Sequence, residues 1–252
     1  MSVAARSCRP RFSPQGFWSQ VEPTAVQQAL RLVFSRWGLP KCFRVDNGTP
    51  WGSTGDWPTD LALWLIGLGV EMRWNPPRRP QDNGVVERSQ GTGKRWTEPD
   101  TCRNVQELQE RVNEMDRIQR EVYPSIQGLS RWQAFPKLQQ ARRCYSKAWE
   151  RRSWNLELVL THLCGYSVVR RADCKGKVSI YNRLHYVGEK YRGQDIYVVL
   201  DPLDREWVFT TAEDVQLRRK PAEELTRERI MRLEVARRNP SRPRRGKTSC
   251  RD

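Results

Sequence analysis

The sequence predicts a mixed α/β protein that ends in a small region of β-strands. Up to residue 122, apolar residues recur first with the period of a helix and then with the period of a strand, several times over. After Gly165 the period is two throughout, in short runs separated by turn residues. With 252 residues, the chain has room for one large domain or two smaller ones.

The first predicted helix starts at Thr24. Thr24 and Gln27 match a capping box, and Gly38 and Pro40 are typical of a helix end. The apolar stripe that we expect to face the core consists of Val26, Ala29, Leu30, Val33 and Trp37.

A strand, a helix and a second strand are predicted next. CFRVD is a short strand that ends at Asp46, followed by the turn signal DNG. Residues 57–68 form a helix, and residues 69–74 alternate as a strand. A right-handed β-α-β unit would return the second strand to the side of the first.

A proline-rich loop at residues 75–84 leads to a helix from about Val85 that carries Glu87. Two glycines weaken the helical prediction beyond Gly91. Residues 104–122 have the clearest helical pattern of the chain.

The C-terminal half is predicted to contain a linker, a β-region and a tail. Residues 123–164 form a helical linker, and residues 165–220 form a small β-barrel or sandwich. Five strands are expected there: YSVVRR, KVSIYN, LHYVG, DIYVVLD and EWVFTT. Residues 221–252 form a basic tail, either a phosphate-binding arm or a solvated one.

Composition favours an anionic partner and excludes a membrane protein. The formal net charge is +16 and the isoelectric point is near 10.0, which is typical of nucleic-acid binding. No apolar run approaches the ~20 residues that span a bilayer, and the first residues lack the apolar core of a signal peptide. Seven scattered cysteines favour free thiols in a reducing compartment, so we expect a cytoplasmic protein.

Asp46 and Glu87 are the candidate catalytic residues. Asp46 ends a strand and Glu87 starts a helix, and a β-α-β unit would bring both carboxylates to one end of the sheet. Carboxylate pairs suit Mg²⁺ or Mn²⁺, which keep several waters and leave room for substrate phosphates. The alternative is local: Asp46 begins a turn, and Glu87 favours a helix N-terminus.

Two segments carry a resemblance to a known family. VDNGTPWGS, followed by WNPPRRPQDNGVVERSQGTGKRW, resembles the DDE or integrase-core group, the insertion-sequence transposases related to retroviral integrases. The resemblance covers roughly residues 10–150 and implies a partial RNase H-like core over residues 1–122. Residues 165–220 resemble, more weakly, the small SH3-like barrel that some members carry.

The resemblance implies metal-dependent cleavage and joining of DNA, with Mg²⁺ or Mn²⁺ as cofactor. It implies binding to element ends and target DNA, as a homo-oligomer on that DNA, in the nucleoid of the cytoplasm. Asp46 matches the second catalytic Asp and Glu87 the catalytic Glu, and both would be metal ligands. Lys94, flanked by Arg88 and Arg95, is the expected DNA contact; the alternative is a solvated helix face.

The sequence departs from the family pattern in two ways. Asp46 and Glu87 are separated by a few more residues than is usual, and no Asp precedes Asp46, where Glu22 is the only acid. We therefore expect a core that lacks its first strands, and a chain that is inactive alone because the first catalytic Asp is absent. The alternatives are a non-catalytic DNA-binding protein and a non-functional transposase remnant.

Overall fold

The structure, a computed structural model, is mixed α/β, as the sequence predicts, and contains several separate sheets. It describes residues 22–53, 55–77, 84–140 and 143–236. The helices in these ranges are α1 (Pro23–Trp37), α2 (Asp60–Gly67), α3 (Gly84–Thr97), α4 (Val105–Glu121), α5 (Arg131–Ala134), α6 (Lys147–Ser153), α7 (Leu156–Cys164) and α8 (Arg227–Met231). The strands are β1 (Cys42–Val45), β2 (Glu71–Trp74), β3 (Val168–Arg171), β4 (Lys177–Ile180), β5 (Arg183–Tyr186), β6 (Asp195–Asp201), β7 (Glu206–Thr210) and β8 (Gln216–Pro221).

The chain divides into two compact units. The N-terminal unit consists of Met1–Thr49 and Val70–Ser153, and the C-terminal unit consists of Pro50–Gly69 and Trp154–Asp252. Helix α2 belongs to the C-terminal unit, although it connects two strands of the N-terminal one.

Helix α1 forms where the sequence predicts it, but its cap and buried face differ. Its N-cap is Glu22, which makes no side-chain capping bond, so the predicted Thr24 capping box is wrong. Pro23 is suited to the first helical position because its fixed φ matches the helix and its missing N–H is not needed there. The face that is buried consists of Gln27, Leu30 and Phe34.

An ion pair between Arg31 and the buried carboxylate of Glu150 explains that face. The Arg31 guanidinium donates to both carboxylate oxygens of Glu150, from Nη2 at 2.6 Å and from Nε at 3.0 Å. Gln27 Oε1 accepts from Arg31 Nη1 at 3.0 Å, and the Tyr145 hydroxyl donates to Glu150, whose side chain is 1% exposed. Burial, together with this hydrogen bond, raises the pKa of Tyr145. The network fastens α1 to α6.

Strands β1 and β2 form a parallel pair, which confirms the predicted strand–helix–strand arrangement. Cys42 pairs with Glu71 and Val45 with Trp74. Val70 and Met72 are buried while Glu71 and Arg73 are exposed, which is the alternation that the sequence predicts.

Helix α2 is buried on all sides, from Leu61 to Gly67. It packs on α7 and α8, and Thr59 caps it by accepting from the Ala62 N–H. The Trp154 indole lies directly on Gly67: its Nε1 donates to Trp64 O at 3.0 Å, and a Cβ on Gly67 would overlap the ring. Glycine is therefore required at this helical position by packing.

We expect Gly67→Ala to destabilise the C-terminal unit by about 1–3 kcal/mol, because the added methyl group displaces the Trp154 ring. Gly91→Ala in α3 is the matched control: a Cβ there has no described atom within 4 Å. Gly91→Ala should therefore stabilise α3 by about 0.5–1 kcal/mol. Urea denaturation of both variants checks this, and equal stabilisation by both would contradict the packing argument.

The C-terminal unit contains an antiparallel sheet of order β3-β6-β7-β8 and a separate β4-β5 hairpin. All five predicted strands are present. The described residues form no closed barrel, so the predicted barrel is not confirmed. Strand β8 is not predicted from the sequence. It is an edge strand in which Leu217 is the one apolar side chain before Pro221, so its alternation of apolar and polar residues is too weak to indicate a strand.

Part of the segment assigned to the basic tail is folded. Leu225, Ile230 and Val235 are buried, and Trp207 Nε1 donates at 2.6 Å to Glu224, whose side chain is fully buried. Burial raises the pKa of Glu224. Residues 237–252, with most of the remaining tail arginines, lie outside the described residues.

Candidate DNA and metal site

Asp46 is exposed and directly follows β1, at the carboxyl end of the parallel pair. Asn75 directly follows β2, and its backbone N–H donates to Val45 O at 2.9 Å. The two strands therefore end in register, and this hydrogen bond holds the Val45 and Asn75 backbones together at that end. This is the position that the sequence predicts for Asp46.

Asn75 also binds the residues around Asp46 through side chains. Asn47 Nδ2 donates to Asn75 O at 2.6 Å, and Arg44 Nε donates to Asn75 Oδ1 at 2.6 Å. Asn75 is buried, at 5% exposed, whereas Arg44 and Asn47 are exposed, so these bonds are partly shielded from water. Both neighbours of Asp46, Val45 and Asn47, are thus bonded to one residue, which fixes the backbone that carries the carboxylate.

Sequence reasoning missed Asn75 as a site residue. Its only local signal is its place at the head of the proline-rich loop, immediately after a strand. Its partners lie 28 and 31 residues away, at Asn47 and Arg44, so the pairing follows from the parallel register and from nothing local.

Glu87 lies in the first turn of α3 and is exposed. An acid in this position also interacts favourably with the helix dipole. The helix continues to Thr97 across both glycines, further than the sequence predicts. Residues 78–83, which connect β2 to α3, lie outside the described ranges.

The exposed face of α3 is basic along most of its length. Glu87, Arg88, Gly91, Lys94 and Arg95 are all exposed, and their spacing places them on neighbouring rows of the helix. Arg88, Lys94 and Arg95 form no ion pair with another residue of the described ranges. Gly91 leaves the middle of this face without a side chain. We name Arg88, Gly91, Lys94 and Arg95 the α3 basic face.

The opposite side of α3 is held against α4. Thr97 is buried and its hydroxyl donates to Gly93 O at 2.8 Å. Arg111 of α4 donates to Thr97 O at 3.3 Å and to Thr101 Oγ1 at 2.8 Å, and pairs with Glu107. These contacts determine which face of α3 remains exposed.

The donor set suits a hard cation in type but is small. Asp46 and Glu87 supply carboxylate oxygens, which Mg²⁺ and Mn²⁺ prefer. Within the described ranges, no group of three or more His, Cys, Asp or Glu side chains could hold a metal ion. Glu22, as the exposed N-cap of α1, is not on a strand.

No protein-family model matches the chain. In the described part of the chain, no helix is both long enough and apolar enough to cross a membrane.

Proposed function

We propose that this protein is a DNA-binding protein of the DDE transposase and integrase type, with Asp46 and Glu87 as the remaining carboxylates of its catalytic site. The observation that carries the proposal is the position of the motif residues. Asp46 follows the first strand of a parallel pair, and Glu87 opens the helix that follows the second strand. This order is the one that an RNase H-like core requires, and the proposal includes that fold and a small barrel-like C-terminal domain.

In this proposal the α3 basic face binds phosphate groups. Lys94 and Arg95 are exposed on the same helix as Glu87, and a positive surface there offsets the repulsion between carboxylates and the DNA backbone. Gly91 allows the backbone of a ligand to approach the helix closely. Asn75 holds the Asp46 backbone in position.

Asp46 and Glu87 would together hold one Mg²⁺ or Mn²⁺ ion. A bound ion of this kind polarises a phosphoryl oxygen and lowers the pKa of a bound water. The chain has no Asp before Asp46, so it supplies two carboxylates where the family uses three. We propose that it binds DNA but does not by itself cleave or join it.

A purely DNA-binding role without catalysis is the second candidate. The net charge of +16 and the exposed basic face of α3 favour it, because neither needs the carboxylates. The two candidates predict different results for metal binding. Only a catalytic type of site would bind a metal ion with an affinity that Glu87→Gln reduces. Titration with Mn²⁺, followed by its paramagnetic resonance signal, measures that affinity without requiring activity.

The double variant Lys94→Gln/Arg95→Gln tests DNA binding by α3. Each phosphate contact contributes about 0.9 to the slope of log affinity against log salt for duplex DNA, so the slope should fall by about 1.8. Fluorescence anisotropy of a labelled duplex over a series of salt concentrations measures it.

The matched control is Arg103→Gln/Arg117→Gln, which removes the same charge from residues that pair with Glu107 and Glu114. Its slope should remain close to that of the wild type. Equal falls in both double variants would mean that net charge alone binds DNA, and would overturn the assignment of α3.

A further inference from the structure

A groove of about 460 Å³ lies in the C-terminal unit beside the edge strand β8. One wall is the segment from Tyr186 to Tyr191, and the other is the start of β8, from Gln216 to Arg218. It is open to solvent, and none of the residues proposed for catalysis lines it. We name it the β8 groove.

Two tyrosines stand in one wall of the β8 groove. Tyr186 is 46% exposed, and its hydroxyl accepts a hydrogen bond from the Glu189 N–H at 3.2 Å. The Lys190 ammonium lies 4.9 Å from the centre of the Tyr191 ring. The Tyr186 ring is therefore partly open to solvent at the groove.

Basic side chains surround these rings. Lys190 and Arg218 line the groove and are exposed, and Arg192 and Lys220, just beyond the ends of the two walls in sequence, are also exposed. Glu189 is the acid that lines the groove. The balance is positive, so the groove favours an anionic ligand.

We propose that the β8 groove binds unpaired nucleotides of a single-stranded polynucleotide. Bases stack on tyrosine rings whatever their identity, and phosphates are bound by neighbouring basic side chains. Tyr186 and Tyr191 are the base-stacking residues, and Arg218 and Lys190 are the phosphate contacts. An extended peptide added to the edge of β8 is the competing occupant. The aromatic rings and the positive charge favour the polynucleotide, and the site does not depend on Asp46 or Glu87.

Tyr191→Leu in the full-length chain tests base stacking. It keeps an apolar side chain at this half-buried position but removes the ring, so binding of a labelled oligothymidylate of about eight nucleotides should weaken about 5- to 150-fold. Binding of a duplex should be unchanged. The matched control is Tyr197→Leu, since Tyr197 is also half-buried but lies on the central strand β6.

Arg218→Gln tests the phosphate contact. The slope of log affinity against log salt for the single strand should fall by about 0.7. Arg171→Gln is the control: Arg171 is exposed on β3, the opposite edge of the same sheet, and its loss should leave the slope unchanged.

Unchanged single-strand affinity in Tyr191→Leu, or an equal loss for single strand and duplex, would overturn the proposal. Equal slopes for Arg218→Gln and Arg171→Gln would also overturn it. These measurements use single-stranded DNA and substitutions in the C-terminal unit. The α3 test uses duplex DNA and substitutions in the N-terminal unit. A failure of one proposal is therefore distinguishable from a failure of the other.

Discussion

Replacing Glu150 by alanine is expected to destabilise the N-terminal unit by about 3–5 kcal/mol. The variant leaves the partly buried Arg31 guanidinium without the carboxylate that it contacts at 2.6 and 3.0 Å. It also removes the acceptor of the Tyr145 hydroxyl, so this hydroxyl and the Arg31 guanidinium each lose a hydrogen-bond partner, although Arg31 keeps its bond to Gln27. Urea denaturation followed by far-ultraviolet circular dichroism measures the change.

The control for this experiment is Glu114→Ala. Glu114 pairs with Arg117 three residues away on α4, and both side chains are about half exposed. Exposed pairs contribute little to stability, so this variant should unfold at nearly the wild-type urea concentration. Similar destabilisation by both substitutions would show that the Glu150 network contributes no more to stability than an exposed ion pair does.

The sequence predicts elements well where local pattern and burial agree. Helix α2 has an apolar run that is buried, and strand β2 alternates between buried and exposed residues. In α1 the local pattern is misleading. The apolar stripe suggested Val26 and Val33, whereas the buried face includes Gln27, because Arg31 finds its partner 119 residues further along the chain.

The same distinction applies to strand β8. Its alternation is hidden because Arg219, on one face, is satisfied by Asp201, Asp204 and Glu206 of neighbouring chain segments. An arginine paired in this way can occupy a sheet position that would otherwise favour an apolar residue. No pattern within β8 itself shows that these acids come near.

For the candidate site, the sequence predicts positions but not their support. Asp46 at a strand end and Glu87 at a helix start follow from turn and helix signals. The bonds from Asn75 to both neighbours of Asp46 follow from the parallel register of β1 and β2. Likewise, α3 continues past Gly91 because its inner side packs on α4, an influence that helix propensity does not include.

The purified chain is expected to show no strand cleavage or joining with Mg²⁺ or Mn²⁺. Two-metal phosphodiester chemistry stabilises both the attacking and the leaving oxygen, and two carboxylates hold one ion weakly. Losing one electrostatic element of a catalytic site typically costs a factor of about 10² to 10³, and losing a metal position costs more. A supercoiled plasmid incubated with the chain and either ion should therefore remain uncut.

Glu87→Gln should leave DNA affinity unchanged or slightly raised, because it removes a negative charge next to the α3 basic face. Glu110→Gln, on the exposed side of α4, is the control with the same charge change. Nicking that Glu87→Gln abolishes and Glu110→Gln preserves would overturn the expectation and require a substitute acid. Asp56 pairs with Arg170 and Asp60 accepts from the Ala236 N–H, so both are already engaged. Glu22, exposed at the start of α1, would then be the first acid to replace.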